Sequence, residues 1–145
     1  MLEFVRGMIA FRRRHSCLTH NAFFTGKPAP GRDIPDISWY GIRLNEPAWH
    51  DPAAQFLAFT VAGLTANEPD LHVILNMADA PVEEQLPATP GKEWLPVVDT
   101  FDRGISGIFP PDNQRAVLTR VWRSQPRSVA IFESRSLHFS QIPRV

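Results

Sequence analysis

The sequence predicts an all-β fold: an antiparallel β-sandwich of about seven or eight strands preceded by one N-terminal α-helix. Three observations predict it. Apolar residues recur at helical spacing only between Leu2 and Arg14. From Asp36 onward they alternate over short runs, the pattern of strands with one buried face. Turn residues divide those runs at Pro30-Gly31, Asn67–Pro69, Pro90-Gly91, Gly104–Pro111 and Gln125-Pro126. Such short connections suit antiparallel neighbours, because parallel strands need long crossovers.

Within the helix, Leu2, Val5 and Ile9 share one stripe, and Phe4, Met8 and Phe11 form a second beside it. Together the stripes are wider than an ordinary surface helix needs. One sandwich face cannot cover both, so Phe4, Met8 and Phe11 are expected to self-associate and make a homodimer through this helix. Arg12, Arg13 and Arg14 close the helix where cations favour the negative end of its dipole, and they read as a solvated face.

The strands follow in order. Asp36–Tyr40 is short and stops at Gly41. Between Gln55 and Gly63, Leu57, Phe59 and Val61 share one face, and Leu71, Val73, Leu75 and Met77 repeat the pattern. Val82–Leu86 is weaker. Trp94–Asp99 contains Pro96, which marks an edge or a bulge because proline cannot donate to the ladder. Val117, Thr119 and Val121 alternate, and Ser128–Glu133 is the last strand. The Gly31–Pro52 stretch is mostly irregular and carries Trp39, Tyr40 and Trp49.

Composition narrows the function. The 145 residues suit one domain with an appended element. Fifteen basic residues balance fifteen acidic ones, so the electrostatic footprint of a nucleic-acid binder is missing. Cys17 is the only cysteine, which excludes a disulfide framework and a cysteine-based zinc site and suits a reducing, cytoplasmic setting. No signal peptide is evident and no window reaches the length of a membrane span, so no membrane partner is expected. The 14 prolines are dispersed between apolar runs, as punctuation of a folded domain.

Catalytic signals are weak. Acid–base work needs carboxylates brought together in a pocket, whereas Asp33, Asp51, Asp70 and Asp112 sit in turns, where Asp bonds its own backbone. His15, His20, His50, His72 and His138 lack the helical His-Glu spacing of zinc hydrolases, and a capping or solvent role is expected for His15 and His20. Gly104-Ile-Ser106-Gly107 falls one residue short of a nucleophile elbow. No catalytic residue, metal or cofactor is therefore expected. Aromatics remain: sugars stack their C–H faces on Trp and Tyr rings, so Trp39, Tyr40 and Trp49 are the candidate substrate-binding residues. The competing reading is that such rings are buried.

Taken in order, five segments resemble a known family. Ile9–Leu18 (IAFRRRHSCL) with Phe23–Pro28 (FFTGKP) is similar to the last barrel helix of isoamylase-type glycogen debranching enzymes, in the α-amylase superfamily. Asp36–Phe59 resembles that family's Asp-Ile-x-Trp element and the acidic-Trp segment leading into a strand. Asp70–Pro87 resembles its strand–asparagine–turn–strand hairpin, with Asn76 and Pro81 in matching places. Glu93–Thr100 and Arg127–Ser134 resemble its last strands. Departures are Ser16 for the usual proline, Gln55 for a frequent arginine, and Met77–Asp79 for an Ala-His-His type turn.

The resemblance implies two units: residues 1–25 as a terminal helix of a (β/α)8 barrel, and residues 26–145 as the C-terminal β-sandwich. It places the family's catalytic carboxylates on barrel strands upstream of every segment matched, so none is assigned here. The function it implies is a non-catalytic accessory domain in glycogen and α-glucan metabolism, stabilising or glucan-contacting. A free-standing glucan-binding module is the alternative. The implied partners are an α-glucan and a barrel-bearing polypeptide.

Overall fold

The computed structural model describes residues 1–102 and 107–137. Gly104–Ser106 and His138 lie outside the described residues. Helix α1 spans Leu2–Arg14, and a single turn, α2, covers Ser16–Thr19. Seven strands follow among the described residues: β1 Ile37–Tyr40, β2 Phe56–Val61, β3 Leu71–Asn76, β4 Val82–Gln85, β5 Lys92–Asp99, β6 Val121–Ser124 and β7 Ser128–Ser136.

All pairings are antiparallel. Five strands form one sheet in the order β1-β2-β3-β7-β5, and β4 pairs with β6 in a separate two-stranded ribbon. The sandwich is lopsided. Its ribbon covers one face of the large sheet, burying Leu86 with Phe56, Ile74, Trp94 and Phe132. Trp122 of β6 meets Phe132 edge-on, with ring centroids 5.0 Å apart. The other face carries α1, and there Phe11 and Cys17 join Val61, Leu71, Val97, Val98 and Ile131 in a second cluster. Because side chains alternate along each strand, β2, β3 and β7 feed both clusters at once.

Pro96 sits as its residue type requires. Strand β5 is an edge of the sheet, and its register with β7 shifts between Pro96 and Val98, so the strand has both an edge and a bulge. Asn76 closes β3 by donating its amide to the carbonyls of Ala80 and Gln125, both at 3.0 Å. Asp36 accepts from the Thr25 and Gly26 backbone N–H groups, each at 2.7 Å, and so fastens the loop after α2 to the start of β1.

Two local expectations need correction. The alternation of Val117, Thr119 and Val121 is not a strand. Arg120 takes φ 53°, Leu118 is 86% exposed, and β6 begins only at Val121. A left-handed residue ends any extended run, so a period of two over five residues was a coincidence of composition. Asp70 is not a turn residue but a buried ion-pair partner of Arg32 and Lys92. Arg12, Arg13 and Arg14 are all exposed, as the solvated face requires, and Arg14 also donates to Glu133.

Candidate functional site

Helix α1 decides the character of one whole face. Its Phe4, Met8 and Phe11 stripe turns toward the sheet, with Phe11 only 3% exposed. Of the stripe expected to pair two copies, Phe11 is thus buried within the chain, while Phe4 and Met8 are only partly buried. Leu2, Val5 and Ile9 point outward instead, at 62%, 45% and 48% exposure. Alongside them runs an apolar cleft of about 530 Å³ between Phe4, Val5 and Met8 on the helix and Phe59, Val73 and Ile131 on the sheet. An exposed apolar surface of this kind marks an interaction site.

Edge strand β1 extends that surface. Trp39 lies on the same sheet face as its register partner Phe59, their ring centroids 5.3 Å apart. Trp49, from the loop after β1, meets Trp39 edge-on at 5.2 Å and 74°. Both indoles keep much of their surface in water, 39% for Trp39 and 56% for Trp49. Tyr40 does not join them. As the next residue along the strand it faces the opposite side, where its ring lies 5.6 Å from His72. The three aromatics expected to act as one sugar platform are split between two faces, and the two that meet are nearly perpendicular.

At the end of α1 the chain is clamped to the sheet by polar groups. His15 Nδ1 lies 2.7 Å from the Phe11 carbonyl, the capping role expected of it, and Nε2 lies 2.9 Å from Glu133 Oε1. Both atoms facing the ring are acceptors, so both bonds together require a doubly protonated imidazole. Arg14 and Arg135 donate to Glu133 at 3.1 Å each. Burial alone would raise the Glu133 carboxyl; the hydrogen bonds from His15 and Arg135, with the charges beside it, bring it down to about 2. Ser16 donates to Glu68 in the same region, and Glu68 also accepts from the Leu64 N–H. Sequence reasoning missed this clamp. Its partners are over a hundred residues apart, and only the α1–β7 contact makes them neighbours.

Two further titratable groups sit in the space between the sheets. Burial pushes the Glu84 carboxyl up to about 8, opposed by one hydrogen bond from Ser124 at 3.1 Å. Burial lowers His72 to about 3, and its Nε2 has no partner. Displaced proton affinities mark candidate catalytic groups when they line a cleft. Glu84 and Glu133 cannot act as a pair: both are buried, and Glu133, which lines a cleft with Lys92 and Arg135, lies on the opposite face of the large sheet from Glu84. Two-carboxylate glycoside chemistry needs the pair to flank one bond. Among the described residues no group of three or more His, Cys, Asp or Glu could hold a metal ion, and no helix is long and apolar enough to cross a membrane.

Comparison with known proteins agrees with this geometry. A curated relative, chloroplastic isoamylase 2 of Oryza sativa subsp. japonica, is 29% identical over 114 residues, which is 71% of this chain and 14% of that protein. This chain therefore spans only a small part of that relative's length. The family model for the C-terminal domain of isoamylases 1–3 matches residues 38–130, from within β1 to within β7. The chain belongs to the isoamylase 1–3 C-terminal domain family.

Proposed function

We propose that this chain serves as a non-catalytic accessory domain of an isoamylase-type debranching enzyme, and that its apolar helix-and-sheet face packs against the catalytic body of that enzyme. The observation that carries the reading is the character of the face. Leu2, Val5 and Ile9 stand beside a cleft walled by aliphatic and aromatic side chains, and among the described residues Arg12 is the one charged residue lining it. A sugar needs hydroxyl partners that this cleft lacks, whereas a protein surface needs apolar area. Trp39 and Trp49 continue the apolar surface through Phe59, so docking uses them without a separate role.

Association of the whole chain with the catalytic portion of an isoamylase-type enzyme, followed by calorimetry, tests the reading. Val5→Asp with Ile9→Asp weakens that association while the chain keeps its fold. Absence of association by the native chain refutes the reading, as does association indifferent to both substitutions. The chain by itself releases no reducing sugar from glycogen or pullulan; release abolished by a point mutation in this chain overturns the non-catalytic part. A second copy is the rival occupant of the outer stripe. Sedimentation of the chain alone at tens of micromolar reads it: a dimer dissociated by Ile9→Asp assigns the stripe to self-association instead.

A further inference from the structure

Two grooves meet along the outward side of α1. The first is the apolar cleft between helix and sheet, where Val5 and Ile9 stand with Arg12. The second is an open groove of about 540 Å³ that shares Ile9 with it and is lined by Arg6, Ala10, Arg13 and Arg14. Arginine thus flanks the apolar stripe on both sides, and among the described residues no carboxylate lines either groove. Resting on the docking reading above, we infer that the surface docked against this helix is anionic at its rim. Carboxylates of the catalytic body bracket an apolar centre and enter the groove over Ala10.

Helical spacing makes the arrangement. Arg6 and Arg13 are two turns apart, so their side chains stand on one flank with Ala10 between them. Alanine has no side chain beyond Cβ, so the floor between the two guanidiniums stays open to an incoming side chain. Arg12 stands on the other flank, across Val5 and Ile9. Helix α1 carries four arginines and one glutamate, and that glutamate, Glu3, lines neither groove. The chain as a whole balances 15 basic residues against 15 acidic ones, so the positive excess is concentrated on this helix.

Compensation of the helix dipole does not account for this pattern. Arg12, Arg13 and Arg14 occupy the last turn, where cations favour the negative end. Arg6 lies in the second turn and gains nothing from that end. Arg14 is committed to the fold: it donates to Glu133, and its guanidinium lies 4.8 Å over the Phe11 ring. Arg6, Arg12 and Arg13 remain for a partner. A guanidinium holds a carboxylate through two parallel N–H bonds, which fixes orientation as well as charge. Interfaces are enriched in arginine, and complementary charges at their rims steer association and set its register. A polyanion with no apolar centre fits less well, because Leu2, Val5 and Ile9 would stay in water.

The test is association of the full chain with the catalytic portion of an isoamylase-type enzyme at about 0.1 M and about 1 M salt, between which the Debye length falls from about 10 to about 3 Å. The association rate should fall by about tenfold or more. Arg6→Ala and Arg13→Ala each weaken binding at the lower salt by roughly two- to fivefold, the worth of one exposed ion pair, and lose that effect at the higher salt. Arg6→Glu with Arg13→Glu weakens it further. Arg123→Glu with Arg127→Glu, the same change in net charge on β6 and the turn after it, leaves the affinity unchanged. All four residues are exposed, and thermal midpoints verify that the variants fold. Association indifferent to salt, or to Arg6→Glu with Arg13→Glu, overturns the anionic rim and leaves the apolar docking reading standing. Equal weakening by the Arg123 and Arg127 pair overturns it too, since net charge then acts without a site. No association at either salt overturns both readings, and so does binding to phosphatidylserine vesicles with none to the enzyme portion.

Discussion

Replacing Glu84 by glutamine should abolish a loss of stability that the native chain suffers between pH 6.5 and pH 8. Glu84 is 4% exposed on β4, one carboxylate oxygen accepts from Ser124, and the other has no partner. Its carboxyl is raised by burial from 4.5 to about 8, so the folded chain keeps a proton that the unfolded chain has already released. A group with a raised folded value stabilises most below its unfolded value, and that stability drains away as pH rises toward the folded one. His72 acts in the opposite sense. Its folded value of about 3 lies below the ordinary 6.5, so its contribution is full above 6.5 and is lost as pH falls. Below pH 6.5 the two slopes oppose each other. Above it the Glu84 slope dominates; its proton is half released by pH 8 and the tail of the His72 titration opposes it, so the loss comes to about 1–1.5 kcal/mol. Urea unfolding at pH 6.5, 7.25 and 8 measures it. The native chain should lose about 1–1.5 kcal/mol across this range, and Glu84→Gln should lose none. A flat native profile refutes the reasoning, and so does a slope that survives the substitution.

Four other outcomes follow from the packing. Phe11→Ala should cost about 3–5 kcal/mol in chemical denaturation, because Phe11 fills the space between α1 and the sheet; Ile9→Ser, on the outward stripe, should cost under about 1 kcal/mol. Glu133→Gln leaves His15 buried without its carboxylate and should destabilise by about 3 kcal/mol, the low end for a broken buried pair since Arg14 and Arg135 are half in water. Because the Glu133 carboxyl is held at about 2, its contribution is full above 4.5 and lost on acidification toward 2, so the variant's stability should fall less steeply over that range. Gly41→Ala should cost about 1–3 kcal/mol, since its Cβ meets the Glu46 carbonyl oxygen of the backbone. Gly7→Ala should be nearly neutral by thermal melting: its Cβ meets only the end of the Ile108 side chain, and alanine is the better helix former by about 1 kcal/mol.

What the residues alone determine here is local and periodic. The helix over Leu2–Arg14, the antiparallel strands and the edge or bulge at Pro96 all follow from spacing and from the missing N–H of proline. The family, too, is legible from the order of its segments, because Asp36 and Asn76 carry local bonds that constrain their neighbours whatever lies beyond. Tertiary structure decided everything that depends on which face meets which. Either apolar stripe of α1 could have turned inward, and the sheet took the one with Phe11. Tyr40 parted from Trp39 because adjacent residues on a strand look in opposite directions, which sequence proximity conceals. His15, Arg14 and Glu133 became one clamp only when the chain closed on itself. Periodicity reports that a side chain wants burial or water; it carries no information about the partner, since a partner's identity is set by contacts between segments far apart in the chain.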